Sequence, residues 1–255
     1  MDIRFVFDKN PENYDKWRPI YLPEVFKDII SYAGITDKKQ VIEIGIGTGQ
    51  ATEPFLKTGC KIIAIELGKN LSEFSKEKFK GYNNFKIENI SFEDYEGEIN
   101  STDLIYSASA FHWIAKETGY KKAFSLLKSG GTLALFRNTP SAGSACDTLH
   151  QDIQKIYQKY MPDSKHPGNK KINYDNIGDE IQKYGFENLI VKQYYNTRNF
   201  NSENYIRLLN TYSDHIILPS DIKTRFETEI KKSIENNGDF ICIHDTIDLY
   251  LSQKP

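Results

Sequence analysis

Gly45, Gly47 and Gly49 stand at alternate positions directly behind the apolar run Val41-Ile42-Glu43-Ile44, and no other feature limits the fold of this 255-residue chain so tightly. A β-branched run entering closely spaced glycines reads as a buried strand that breaks into a tight turn. There the bare backbone lets main-chain N–H groups approach a ligand. A second apolar run, Lys61-Ile62-Ile63-Ala64-Ile65, ends in Glu66. A carboxylate closing the second strand of a βαβ unit is placed to accept from both hydroxyls of a ribose. Turn and acid together imply a ligand with an adenosine portion. The dinucleotide fingerprint Gly-x-Gly-x-x-Gly needs its third glycine where this chain has Gln50, and no Gly-Lys-Ser/Thr follows to make a phosphate-binding loop.

Strand and helix signals alternate around this turn. Residues 22–33 place Leu22, Val25, Phe26, Ile29, Ile30 and Ala33 on one helical face, with Gly34 as a stop. Strands are expected at 41–45, 61–65, 85–90, 103–107 and 132–136, and helices near 50–57, 70–80 and 117–127. Pro54 is tolerable only in the opening turn of the first of these helices. The alternation predicts a parallel sheet with helices on both faces. Residues 138–180 carry Pro140, Pro162 and Pro167 and show no strand pattern. A further strand is expected at about 188–195, helices over 202–236, and a final strand over 240–251. In that strand Ile241, Ile243, Ile247, Leu249 and Leu251 face the core, and the opposite face is half exposed. The reading is one domain over 1–255: an N-terminal lid and helix (1–34), a cofactor-binding core (35–137), a helical cap with one core strand (138–239) and a terminal strand (240–255).

Composition narrows the partners. A formal net charge of −2 and the lack of a long basic run argue against nucleic acid. The start of the chain has no signal-peptide architecture and no apolar run approaches a membrane span, which predicts a cytoplasmic protein without a membrane partner. Three scattered cysteines (Cys60, Cys146, Cys242) and five dispersed histidines suggest reduced thiols and no metal site. Oligomeric state is not legible.

Several segments resemble the small-molecule, trans-aconitate-type branch of the class I S-adenosylmethionine-dependent methyltransferases. Gly45-x-Gly47-x-Gly49 preceded by Glu43 is similar to motif I of that class. Tyr14-Asp15-Lys16-Trp17-Arg18-Pro19-Ile20-Tyr21 looks like the branch's N-terminal Y-x-x-x-R-P-x-Y signature. Ser91-Phe92-Glu93-Asp94 resembles the motif after the third strand, Asp103 to Trp113 resembles motif IV, and Leu127-Lys128-Ser129-Gly130-Gly131-Thr132 the turn beyond it. The resemblance implies a Rossmann-like, doubly wound α/β fold, mostly parallel and seven-stranded, whose last strand is antiparallel and inserted beside the fifth. It also implies S-adenosyl-L-methionine as cofactor.

Roles follow residue by residue. Glu66, with Leu67 beside it, would hold the ribose, and Gly45, Ile46, Gly47 and Gly49 would line the methionine moiety and sugar. Glu43 is an acid inside an apolar strand and needs partners, either the cofactor's ammonium or a structural hydrogen-bond network. Ser91 and Phe92 resemble adenine-edge positions, and Ser107 opens motif IV at the cofactor. Tyr14 and Arg18, four apart on a short helix, would fold over the cofactor, with Arg18 facing the methionine carboxylate. His112 and Trp113 follow the fourth strand at the sheet's carboxyl edge, where open α/β sheets bind ligands. A neutral oxygen or nitrogen acceptor would use a base, and His112 is the candidate. A carboxylate acceptor would need only positioning, for which Arg137, Arg198 and Arg207 are candidate clamps. The expected activity is in-line methyl transfer to a small molecule, possibly a carboxylic acid. A non-catalytic cofactor-binding domain and a nucleotide-dependent oxidoreductase are the alternatives.

Overall fold

The computed structural model describes residues 2–142, 148–162 and 174–255. Expectations falling on 143–147 and 163–173, Cys146 and Pro167 among them, lie outside the described residues.

Seven strands form one sheet: β1 (Gln40–Ile44), β2 (Lys61–Glu66), β3 (Phe85–Asn89), β4 (Thr102–Ala108), β5 (Leu127–Ala142), β6 (Glu187–Phe200) and β7 (Ile241–Gln253). Their order is β3-β2-β1-β4-β5-β7-β6. The first five pair parallel, and β7 runs antiparallel to both β5 and β6. The order reverses beside β1, so the ends of β1 and β4 open a crevice at the switch point.

Alternation along β1 sorts its side chains: Val41 joins the core under the helix Pro23–Ala33, while Ile42 and Ile44 join the core on the opposite face. On the first face Phe55 stacks on Tyr106 with centroids 4.3 Å apart. On the second, the helix Lys116–Leu126 contributes Tyr120, Ala123 and Leu126. A third core joins the helices Thr148–Tyr160, Ser202–Leu209 and Ser220–Asn236 through Ile153, Tyr157, Leu208, Phe226 and Ile230. Gly34, left-handed at φ 58°, ends the first of these helices where its sequence predicts a stop.

Three elements differ from the sequence expectation. The helix expected over 50–57 is one turn, Glu53–Leu56, because Gly49 at φ 80° holds the preceding residues in a turn and Pro54 permits only a helix start. Strand β5 continues through Arg137–Ala142, in the region read as strandless. Nothing in Arg137-Asn138-Thr139-Pro140-Ser141-Ala142 alternates; these residues are extended because each pairs with β7, from Arg137 opposite Asp248 to Ala142 opposite Ile243. Pro140 is tolerated there because β4 has already ended and its edge needs no N–H from it. The terminal strand is half exposed only in its first half. Asp248, Tyr250 and Ser252 are buried on the face expected to be open, since the second core, with Tyr120, Ile181 and Phe186, covers it. The overshooting ends of β5, β6 and β7 carry Ile241 and Ile243 into the third core, and so mount the cap beyond the carboxyl edge of the sheet.

Candidate functional site

A cavity of about 910 Å³ lies over that edge. Its floor is the turn after β1. Gly45 and Gly47 adopt φ of 68° and 58°, a region L side chains rarely occupy. A Cβ on Gly45 would come within 2.4 Å of the Ala110 Cβ, so the turn packs against the end of β4 only because no side chain stands between them. Gly49 lies outside the cavity lining and serves the turn from beneath, where a Cβ would meet the Phe79 ring at 2.3 Å. Ile46 lines a small side chamber of about 50 Å³ together with Tyr14, Arg18 and Tyr21.

Glu66 closes β2 and is buried. Its Oε2 accepts from the Gly47 N–H and its Oε1 from the Gly68 N–H, both at 2.8 Å. Burial raises its pKa, while the two amide hydrogen bonds work the other way. Each oxygen keeps a lone pair, so the carboxylate is fixed in orientation and still able to accept from a diol. Leu67, Ser91 and Phe92 line the same end. The Ser91 hydroxyl donates to the Asp94 carboxylate and its oxygen accepts from the Asp94 N–H at 3.0 Å, so it is not the free acceptor that an adenine-edge residue would be.

Two expected ligand residues sit beneath the cavity. The Ser107 hydroxyl donates to the Ile44 carbonyl at 3.0 Å, clamping β4 to β1, and Ala108, Ser109 and Ala110 line the cavity in its place. Glu43 accepts from the Thr52 hydroxyl at 2.7 Å and does not line the cavity, so the hydrogen-bond network is the partner the structure brings to it. Burial pushes its pKa up to about 8, with the hydrogen bond from Thr52 and the nearby Tyr106 hydroxyl opposing the shift. The folded state therefore holds this proton over a range in which the unfolded chain has lost it. The corresponding stability is present below the ordinary glutamate range and is lost as pH rises toward about 8. In denaturant titrations at pH 5 and pH 9, Glu43→Gln should lose less stability between the two than the natural chain. Parallel losses would show that Glu43 is ionised throughout.

The roof is the N-terminal segment. A 3-10 helix, Ile3–Lys9, and the helix Pro11–Trp17 run across the cavity and contribute Arg4, Phe7, Tyr14 and Arg18 to its wall. The segment is tied down by Arg4 to Glu93 (2.7 Å), by the Leu71 N–H to Asp8 (2.8 Å) and by Lys78 to Asp15 (2.6 Å). The Arg18 guanidinium lies between two rings, 5.0 Å from the centroid of Tyr14 and 5.2 Å from that of Tyr212. It has no carboxylate partner among the described residues. Burial opposes its charge, but Tyr14, Tyr212 and Tyr21 outweigh this, and its pKa is raised.

At the far end stand His112, Trp113 and Arg137. Trp113 meets Phe7 edge-on at 5.8 Å. The His112 side chain is exposed and lines the cavity. Burial first, then the charges of Arg137 and Arg18, push its pKa down to about 4. It is a neutral, weakly basic imidazole at physiological pH, poorly matched to abstracting a proton from an alcohol or ammonium. Two of the expected clamps are elsewhere. Arg207 pairs with Glu203 one turn away on the exposed face of its helix. Arg198 donates from Nε and Nη2 to the two carboxylate oxygens of buried Asp245. Helical spacing gave Arg207 no face of its own, and only the β6–β7 register (Arg198 opposite Ile243, Asn196 opposite Asp245) brings Asp245 to Arg198.

Sequence reasoning assigned no role to Arg4, Phe7, Ser109, Asn138 or the cap residues Tyr205, Leu208, Asp214 and His215, which also line the cavity. Ser109 carried no sequence signal. It adopts φ 57°, and its oxygen accepts from the Asn138 N–H (3.2 Å) while lying 2.9 Å from the Tyr21 hydroxyl. Among the described residues no cluster of histidine, cysteine and acidic side chains could hold a metal ion, and no helix is long and apolar enough to cross a membrane.

A diol acceptor locked by backbone amides, a turn with no room for a side chain and a cavity larger than one cofactor suit an adenosyl sulfonium with a second molecule beside it. A family profile for a methyltransferase domain matches residues 42–135. An uncharacterised methyltransferase, C25B8.09 of Schizosaccharomyces pombe, is 24% identical over 97% of this chain and 96% of its own length. A protein described as a probable S-adenosylmethionine-dependent methyltransferase, CRG1 of Saccharomyces cerevisiae, is 29% identical over 71% of this chain and 62% of its own. The solved phosphoethanolamine N-methyltransferase 2 of Haemonchus contortus, in complex with phosphomonomethylethanolamine and S-adenosylhomocysteine, shares the fold. Its TM-score is 0.61 at 13% identity, and the match covers all of this chain and 60% of that one. This sheet, this turn, a methyltransferase domain matched over residues 42–135 and these relatives together make the chain similar to the class I S-adenosylmethionine-dependent methyltransferases.

Proposed function

We propose that the chain methylates a small-molecule acceptor, a carboxylic acid foremost, in the manner of the trans-aconitate-type branch. We further propose that it works in the cytoplasm without nucleic acid or membrane as partner. The observation that carries this reading is the roofed cavity whose lining includes both Glu66 and Arg137. It is enclosed by the N-terminal segment and the cap, a shape suited to a small acceptor and poorly suited to a duplex.

When bound, S-adenosylmethionine supplies a methyl group already activated on sulfur, so the protein mainly excludes water and aligns the acceptor. Glu66 holds the ribose over Gly45, Gly47 and Leu67. Ser91 and Phe92 border the adenine, with Ser91 as a wall more than as a hydrogen-bond partner. Tyr14 and Arg18 take the methionine carboxylate beside Ile46. Gly49, Glu43 and Ser107 brace this surface from beneath. His112 and Trp113 border the acceptor, and Arg137 draws an anionic one. The weak basicity of His112 favours an acceptor that has no proton to lose.

Radiolabelled methyl transfer to small acids, amines and phenols, with RNA and protein in parallel, tests the reading. Labelling confined to RNA or protein would overturn it. Tight S-adenosylhomocysteine binding with no transfer to any acceptor would leave a cofactor-binding domain instead.

The N-terminal segment should respond to cofactor as a lid. Its ion pairs to Glu93 and Lys78 are partly exposed, whereas Tyr14 and Arg18 line the cavity. Amide exchange over residues 2–18 is expected to slow when S-adenosylhomocysteine is added. Equal protection in its presence and absence would mean a fixed roof.

A further inference from the structure

We infer that the acceptor is an amphipathic monoacid, one carboxylate on Arg137 and an apolar body against the cap, and that polycarboxylates are poor acceptors. The inference rests on the methyl-transfer reading above and narrows its substrate class. Among the described residues three cationic side chains line the cavity, all arginines. Arg4 is neutralised by Glu93 and Asp2, at 2.7 and 2.8 Å. Arg18 is held between Tyr14 and Tyr212 at the side chamber by the glycine turn, the end assigned to the methionine carboxylate. Arg137 remains, exposed to the cavity, with no ion pair or hydrogen bond among the described residues. One available cation answers one anionic group.

The surrounding wall argues the same way. Trp113, Pro140, Tyr205, Leu208, Leu209 and Ile243 line the cavity, and the acid among the cap residues, Asp214, would repel a second carboxylate. A carboxylate pressed against such a wall without a counter-charge loses its hydration for nothing, whereas an alkyl or aryl body gains by burial. Neutral His112, held so by burial and by Arg137 and Arg18, adds no second positive charge. In the step itself a carboxylate oxygen forms the new O–C bond as the methyl–sulfur bond breaks and its electron pair returns to sulfur. The products are a methyl ester and S-adenosylhomocysteine, and no proton moves.

The test compares octanoate and phenylacetate with citrate and trans-aconitate, and with octylamine, an ammonium in this pH range, as an amine-acceptor control, using the full chain. Expected is a kcat/KM for the monoacids at least about tenfold above that for the tricarboxylates, unchanged between pH 6 and 9. Arg137→Gln should raise the monoacid KM by about tenfold or more while S-adenosylhomocysteine affinity stays within about twofold, and Arg137→Lys should recover part of the loss. Calorimetry on protein loaded with S-adenosylhomocysteine reads binding independently of turnover: octanoate should bind, and should not bind the Gln variant. Equal or better use of citrate or trans-aconitate, methylation of octylamine with octanoate untouched, or octanoate binding indifferent to Arg137→Gln would each overturn the inference and leave small-molecule methylation standing. Transfer to RNA or protein alone would instead defeat the broader reading.

Discussion

Glu66→Ala is expected to weaken S-adenosylhomocysteine binding by roughly 1–3 kcal/mol, the scale of a hydrogen bond to a charged group, which is about five- to 150-fold in Kd. The variant removes the carboxylate placed for the ribose diol and also leaves the Gly47 and Gly68 amides without their acceptor. The turn loosens together with the ligand contact, so the larger end of the range is expected. Glu66→Gln keeps one oxygen acceptor and should fall between the alanine variant and the natural chain. Because burial raises the Glu66 pKa, affinity should begin to fall at a higher pH than an ordinary glutamate would dictate as the solution is acidified. Calorimetric titration of the three proteins between pH 4 and 8 measures all of this. An alanine variant that binds as the natural chain does would remove Glu66 from the site.

Gly45→Ala should be among the most damaging single methyl groups that could be added to the described residues. The residue sits at φ 68°, and its new Cβ would be placed 2.4 Å from the Ala110 Cβ, where neither partner has a flexible end to move aside. Left-handed strain costs about 1–3 kcal/mol and overpacking about another 1–3 kcal/mol, so a loss of about 2–6 kcal/mol in folding stability is expected, with cofactor binding lost as the turn shifts. A pair with Ala110→Gly separates the two costs. Removing the opposing methyl should restore the packing share and leave the backbone share. Full rescue would mean that the turn carries no strain, and no rescue that Ala110 is not the obstacle.

The remaining cysteine chemistry is quiet. Cys60 is buried, with burial raising its pKa, and its thiol is directed at the Phe55 carbonyl at 3.3 Å.

What the sequence determined is local. β-Branched runs entering glycines, an acid at the end of the next run, and apolar residues at helical spacing place β1, β2, the glycine turn, Glu66 and the helix Pro23–Ala33, because each rests on neighbours within a few residues. Tyr14 and Arg18 were legible as a pair for the same reason, one helical turn separating them. The tertiary structure decided everything that depends on partners distant in the chain. Arg137–Ala142 became strand because β7 lies alongside, not because of its own residues. Ser107 and Glu43 turned away from the cavity toward Ile44 and Thr52. Among the three arginines proposed as clamps, Arg198 was claimed by Asp245 47 residues away and Arg207 by Glu203, which left Arg137 facing the cavity. Whether a charged side chain is free to meet a ligand depends on which opposite charge packs beside it. For Arg198 that charge is set by the pairing of β6 with β7, which no short-range pattern in the sequence encodes.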